Sequence, residues 1–260
     1  MKLKRLIVPA IMLLFIIGAI AIFPAQSQIS FMESSWGTVT PTIDGSFDES
    51  EWSDATHLSF FHSTPSFGHN PDDVHIYIKN TESKLFLLFD DLPDTTLEPN
   101  DHLWVYLDAN CDGVIDENLT MLLDRDHSPG NNLQGNSFAE WEIGFGPSPH
   151  KAVDHSIMEV AISITFEESY DGSATPAELN NILPVGTPNN EIKVVFSAAV
   201  YMCGWEIPQD GDPWDVGTYG TLALVSDPPL RLWVIILIII GAVLLAVLII
   251  GGIILVIKRR

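Results

Sequence analysis

From Leu232 to Ile257 the chain runs for 26 apolar residues without a charge, closed by Lys258-Arg259-Arg260. At about 1.5 Å rise per residue this makes a helix of roughly 39 Å, longer than the ~30 Å hydrocarbon layer of a bilayer, so the sequence predicts a tilted transmembrane helix over 232–257. The basic tail 258–260 is expected in the cytoplasm, with Trp233 at the interface. No cytoplasmic domain is expected beyond the tail, which argues against receptor-kinase and transporter functions. A second apolar block, Leu6 to Phe23, follows Lys2, Lys4 and Arg5 and precedes Pro24-Ala25-Gln26-Ser27. That order predicts a secretory signal over 1–27, or an uncleaved N-terminal anchor. The chain is then a single-pass cell-membrane protein with its central domain outside.

Between the blocks the charge is one-sided. All 34 Asp and Glu lie from Glu33 to Asp227 with only five Lys and Arg among them, a net of −29. Such a surface repels phosphate backbones, so no nucleic-acid partner is expected, and cations or neutral ligands are favoured. About 200 residues suit one domain with a full core.

The dominant period of this middle is two. His75 to Lys79, Leu103 to Leu107 and Met158 to Ile164 alternate like strands with one buried face. Leu85 to Phe89 is apolar on both parities, as a central strand would be. Further strands are predicted near Phe138 to Phe145, Glu191 to Cys203 and Tyr219 to Val225. Helical signals are short: Asp48 and Glu51 before Trp52, and Thr175-Pro176-Ala177-Glu178, each have capping-box spacing. Asp126 to Gly135 reads as a long loop. The expected fold is an all-β, antiparallel two-sheet sandwich of the immunoglobulin or jelly-roll kind, with a C-terminal transmembrane helix.

Pro41-Thr42-Ile43-Asp44-Gly45-Ser46-Phe47-Asp48-Glu49-Ser50-Glu51-Trp52 resembles the opening of the carbohydrate-binding family 9-like sandwich domains, within the wider DOMON-like group. The order of the later segments is similar too: the pair Val74–Ile78 and Leu85–Asp90, then Asn100-Asp101 leading into Val105-Tyr106-Leu107-Asp108, Glu159 to Ile162, and Trp214 to Leu224. The resemblance covers 36–225, with a short linker at 226–231 after it. It implies a non-catalytic sandwich that binds sugar through aromatic residues. Some DOMON-like domains hold haem through Met with His or Lys, so a haem-binding electron-transfer module is the alternative, with Met121, Met158 and Met202 available.

Asp108-Ala109-Asn110-Cys111-Asp112-Gly113-Val114-Ile115-Asp116 places oxygen side chains at positions 1, 3, 5 and 9 of a calcium loop. Gly stands at position 6, and the Val114 carbonyl would serve position 7. Leu119 occupies position 12, where a bidentate Glu is expected, so Asp116 or Glu117 would complete the shell. Structural calcium of weak affinity is the expectation, against a plain Asn/Asp turn between strands. If Leu103, Val105 and Leu107 face the core, Trp104 and Tyr106 share the other face. By the same parity Tyr201, Cys203 and Trp205 oppose Phe196, Ala198 and Val200. With Trp214 these aromatic residues are candidate sugar platforms, whereas Trp52 and Trp141 suit the core.

His57, His62, His69 and His75 crowd one stretch at spacings that match no usual metal motif, and solvated loop positions are expected for them. Cys111 and Cys203 are the only cysteines, in an oxidising compartment, so they form either a disulfide or two free thiols. Asn118-Leu119-Thr120 is the one glycosylation sequon, with Asn118 as acceptor. There is no GxSxG, HExxH, phosphate-binding glycine loop or CxxC, and no enzymatic activity is expected. The predicted function is a cell-surface binding module for carbohydrate or a cell-envelope glycan.

Overall fold

The computed structural model describes residues 29–63, 71–99, 101–127, 133–166, 174–185, 190–200, 203–209, 211–225 and 240. The predicted signal, linker and cytoplasmic tail, and all of the predicted span except Ile240, lie outside the described residues. Among the described residues no helix is long and apolar enough to cross a membrane.

Among the described residues thirteen strands form two sheets packed face to face. The first sheet holds β1 (Phe31–Glu33), β6 (His102–Asp108), β7 (Met121–Asp124), β11 (Glu191–Val200), β12 (Cys203–Ile207) and β13 (Gly220–Ala223), in the order β1-β13-β11-β6-β7 with β12 also on β11. The second holds β2 (Ser35–Trp36), β3 (Thr56–His62), β4 (Asp72–Asn80), β5 (Lys84–Asp91), β8 (Ala139–Gly146), β9 (His155–Phe166) and β10 (Leu183–Val185). Its order is β10-β9-β5-β4-β2, with β3 on β4 and β8 on β9.

The sheets are mixed, not antiparallel as the sequence predicts. β1 runs parallel to β13, β2 to β4 and β10 to β9. Each exception involves a strand of two or three residues at a sheet edge, separated from its partner strand by a long stretch of chain. A hairpin, which enforces antiparallel pairing, makes none of them.

Alternation builds the core. Val74, Ile76 and Ile78 of β4 and Met158, Val160 and Ile162 of β9 point inward, against Leu103, Val105 and Leu107 of β6 and Val194 and Phe196 of β11. Phe89 meets Phe196 across the sheets with ring centroids 5.2 Å apart. β5 is apolar on both faces because it has two cores to fill. Leu85, Leu87 and Phe89 enter the main one, while Phe86 and Leu88 enter a smaller one with Trp52, Ile157 and Ala161. That second core is roofed by the segment around a short α-helix, α1 (Glu49–Trp52), which Asp48 caps by accepting from Ser50 N. At Thr175 the capping box forms with Glu178 but yields only turns.

Glu159 of β9 pins this roof down. Its Oε2 accepts from Asp44 N at 3.0 Å and Gly45 N at 2.9 Å, and its Oε1 from Trp52 Nε1 at 3.0 Å. Gly45, at φ 74°, passes so close to Gly144 that a Cβ on either would overlap the other's backbone. The residues that carry the family resemblance therefore serve the fold.

A strap near the N-terminus ties the sheets together. The chain leaves β1 in one sheet, passes the buried Ser34 and enters β2 in the other. Ser34 Oγ donates to Asn80 Oδ1 and accepts from Val225 N, and Asn80 Nδ2 donates to Val225 O at 2.7 Å.

Candidate functional site

The segment from Ile43 to Ala55 covers much of the second sheet's outer face, whereas β6 presents aromatic residues on the outer face of the first. Trp104 and Tyr106 alternate with the buried Leu103, Val105 and Leu107, as their parity predicts. Their rings lie 5.5 Å apart at 12° from parallel. Trp214 arrives from the loop before β13 and meets Tyr106 at 6.5 Å and 60°. Together with Ile115, Glu117, Thr120, Leu133 and Pro213 these three rings line a cleft of about 470 Å³.

Trp214 is 78% exposed, an unusual position for the largest apolar side chain unless a ligand covers it. Its loop is nevertheless knitted tightly. Asp212 Oδ1 accepts from Trp214 N at 2.9 Å, Thr218 Oγ1 donates to Asp215 O at 2.7 Å, and the Tyr219 hydroxyl donates to Pro213 O at 2.8 Å. The ring is thus held out on a supported turn. Burial raises the Tyr106 phenol above its ordinary range, and the charge of Glu206 adds to the rise. Burial likewise raises Glu206, with Asp212 contributing.

The other two aromatic candidates part company with the cleft. Tyr201 lies outside the described residues. Trp205 is a core residue, 3% exposed, meeting Phe60 at 5.7 Å and Phe89 at 5.4 Å and donating from Nε1 to Asp91 Oδ2 at 2.8 Å. The reason is register. β11 and β12 form a hairpin in which Trp205 sits directly across from the core residue Ala198, and cross-strand partners share a face. Counting parity straight through the turn puts Trp205 on the wrong side.

The predicted calcium loop adjoins the cleft, since Ile115 and Glu117 line it and a neighbouring hollow of about 400 Å³ runs over Gly113 and Val114 to Trp214. Inside the loop the carboxylates hold backbone. Asp108 accepts from Asp112 N at 3.1 Å and Gly113 N at 3.0 Å, Asp112 from Val114 N at 2.8 Å, and Asp116 from Ala109 N at 2.8 Å. Asn110 Nδ2 donates to Asp112 Oδ2 at 3.0 Å. Burial raises Asp116 to about 6, with the charges of Asp108 and Asp112 adding to the shift, and burial also raises Asp108. An all-oxygen donor set under mutual repulsion fits a hard cation in kind. Glu117 and Val114 are exposed, Glu117 facing the cleft.

Asn118 is exposed one residue from the cleft-lining Glu117. The Cys111–Cys203 disulfide does not form, because Cys111 is a free thiol whose Sγ lies 3.6 Å from Glu191 O, at the start of β11. Cys203 pairs with Val200, at the far end of that strand. Nine residues of strand separate the two ends by about 30 Å, whereas a disulfide needs Cα atoms within about 7 Å. Met121 and Met158 are buried in the main core and line no part of the cleft, and Met202 lies outside the described residues.

One grouping escaped sequence reading. His57 and His75 meet His150, which lies 75 residues further along, with one ligand nitrogen from each within 4.8 Å of the others.

No protein-family model matches the chain, and no curated protein is significantly similar to it. Among solved structures, a family 9 carbohydrate-binding module from Caldicellulosiruptor kristjanssonii, in complex with cellotriose, is 13% identical. The match covers 77% of this chain and 98% of that one, with a TM-score of 0.41.

Proposed function

We propose that the sandwich is a non-catalytic module that binds a neutral glycan of the cell envelope in the cleft between β6 and the Trp214 loop. The observation that carries this reading is the exposed Trp214 ring standing beside the paired Trp104 and Tyr106 rings. Aromatic faces bury the apolar C–H faces of sugar rings, Glu117 and Thr120 bring hydroxyl-binding oxygens to the cleft, and Glu206 lies near enough to Tyr106 for its charge to be felt there. The resemblance of the opening motif to family 9-like domains points the same way. A net charge of −29 between Glu33 and Asp227 disfavours uronic acids and sulfated sugars.

The test is binding of the full chain to a panel of neutral and anionic oligosaccharides. Micromolar or weaker affinity for neutral members is expected, reduced at least about tenfold in Trp214→Ala with an unchanged melting temperature, since the ring supports no core. Neutral glycans bound equally by wild type and Trp214→Ala would remove this cleft from the account.

Three further features belong to the same reading: calcium in the Asp108–Asp116 loop, a glycan on Asn118, and anchorage by the span 232–257. The loop wall suits a cation that fixes Ile115 and Glu117 at the cleft.

A further inference from the structure

We propose that His57, His75 and His150 form a binding site for a divalent transition-metal ion, zinc above all, on the outer face of the second sheet, away from the aromatic cleft. Tertiary structure alone assembles the site. β3 and β4 pair with His57 opposite Tyr77 and Ser59 opposite His75, so the two imidazoles are diagonal neighbours on the face opposite the buried core residues Val74 and Ile76. His57 Nε2 and His75 Nδ1 lie 2.9 Å apart. His150 comes over from the β8–β9 connection and stacks on His75 with centroids 3.7 Å apart and planes 2° from parallel.

The connection that delivers His150 is fixed at several points. Ser148 Oγ donates to Asp90 Oδ2 at 2.8 Å, and Asp90 is the cross-strand partner of His75. Lys151 Nζ donates to Asp72 Oδ2 and to Leu92 O, each at 2.7 Å. The Tyr77 hydroxyl lies 2.7 Å from His150 Nε2 and its ring stacks on His57 at 4.5 Å, so Tyr77 holds two of the three imidazoles in place. Supporting hydrogen bonds of this kind are what metal-ligating histidines need.

Three features suit a metal over a purely aromatic stack. One ligand nitrogen from each ring already falls within 4.8 Å of the other two, while tetrahedral zinc with bonds near 2.0–2.1 Å wants nitrogens about 3.4 Å apart, small movements that the exposed His57 and His150 can supply. His57 Nε2 and His75 Nδ1 face each other across 2.9 Å, the placement from which neutral imidazoles can give both lone pairs to one ion. Asp90 and Asp73 direct negative potential at the rings, which attracts a cation as it opposes the desolvation. A set of imidazole nitrogens selects zinc, copper or nickel over calcium. This inference stands independently of the glycan reading.

The test uses tag-free, chelator-stripped full chain titrated with zinc against a chromogenic chelator at pH 7.5, in excess calcium. One equivalent of zinc is expected to bind, more than about tenfold more weakly in His75→Ala and in His150→Ala. Cobalt in place of zinc should give the visible bands of a low-coordinate nitrogen site. His150 lies on an exposed connection, so His150→Ala should melt like wild type without metal, which separates ligand loss from unfolding. Zinc binding that is absent from the wild type, unchanged in a normally folded His150→Ala, or displaced by calcium would overturn the proposal.

Discussion

At Asp91 a carboxyl group lies wholly inside the sandwich, with Oδ2 accepting from Trp205 Nε1 at 2.8 Å and Oδ1 without a hydrogen-bond partner among the described residues. Burial, followed by the nearby charge of Asp94, pushes it up to about 8. In the unfolded chain it titrates near 3.9. Between those values the native state holds a proton that the unfolded state has lost, so stability from this group is fully present below pH ~4 and is lost as pH rises through 8. Glu159 and Asp101, each raised to about 7 with burial the main cause, act in the same sense. Asp91→Asn keeps an acceptor for Trp205 and removes the titration. The fall in melting temperature from pH 5.5 to 8.5 should therefore be smaller in the variant than in the wild type by at least about 3 °C, the shift that about 1 kcal/mol produces in a domain of this size. Equal slopes in the two proteins would show that Asp91 does not ionise in this range.

Among the elements, the loop from β6 toward β7 is where local sequence pattern and observed geometry agree most closely. The turn was legible because its hydrogen bonds are local: Asp108, Asn110 and Asp112 accept from backbone N–H groups two to five residues on, and Gly113 adopts a positive φ of 87°. The strands were legible for a similar reason: one buried face imposes period two, so β4, β5, β6 and β9 stand where alternation or a doubly apolar run puts them. What stayed hidden depends on long-range placement. β7 has four buried residues in a row and no alternation to announce it. The face of Trp205 depends on hairpin register, and His150 belongs with His57 and His75 only after β5 and β9 are paired. For the loop itself, Asp108, Asp112 and Asp116 repel one another, and a cation that binds only the native state raises stability by mass action. Millimolar calcium should then raise the melting temperature of the wild type by about 2 °C or more, and the rise should vanish in Asp108→Ala with Asp112→Ala. An equal rise in that double variant would place any bound calcium elsewhere.

For the whole molecule, the distribution of charge is what supports the proposed arrangement at a membrane. All 34 acidic residues lie between Glu33 and Asp227, while Lys2, Lys4, Arg5 and Lys258 to Arg260 flank the two apolar blocks. Basic residues beside a span are retained on the cytoplasmic side, so on the anchorage we propose the sandwich is expected outside whether or not residues 1–27 are removed. Six residues, 226–231, separate the end of the sandwich from the predicted span, a reach of at most about 20 Å, and Pro228 and Pro229 stiffen them. A domain held that near a membrane, as we propose, would sample the ligands of its own envelope. Protease added to intact cells should therefore remove the sandwich and leave a small membrane-embedded fragment. Digestion that begins only after the cells are permeabilised would reverse the orientation, and with it the case for an envelope glycan as the ligand.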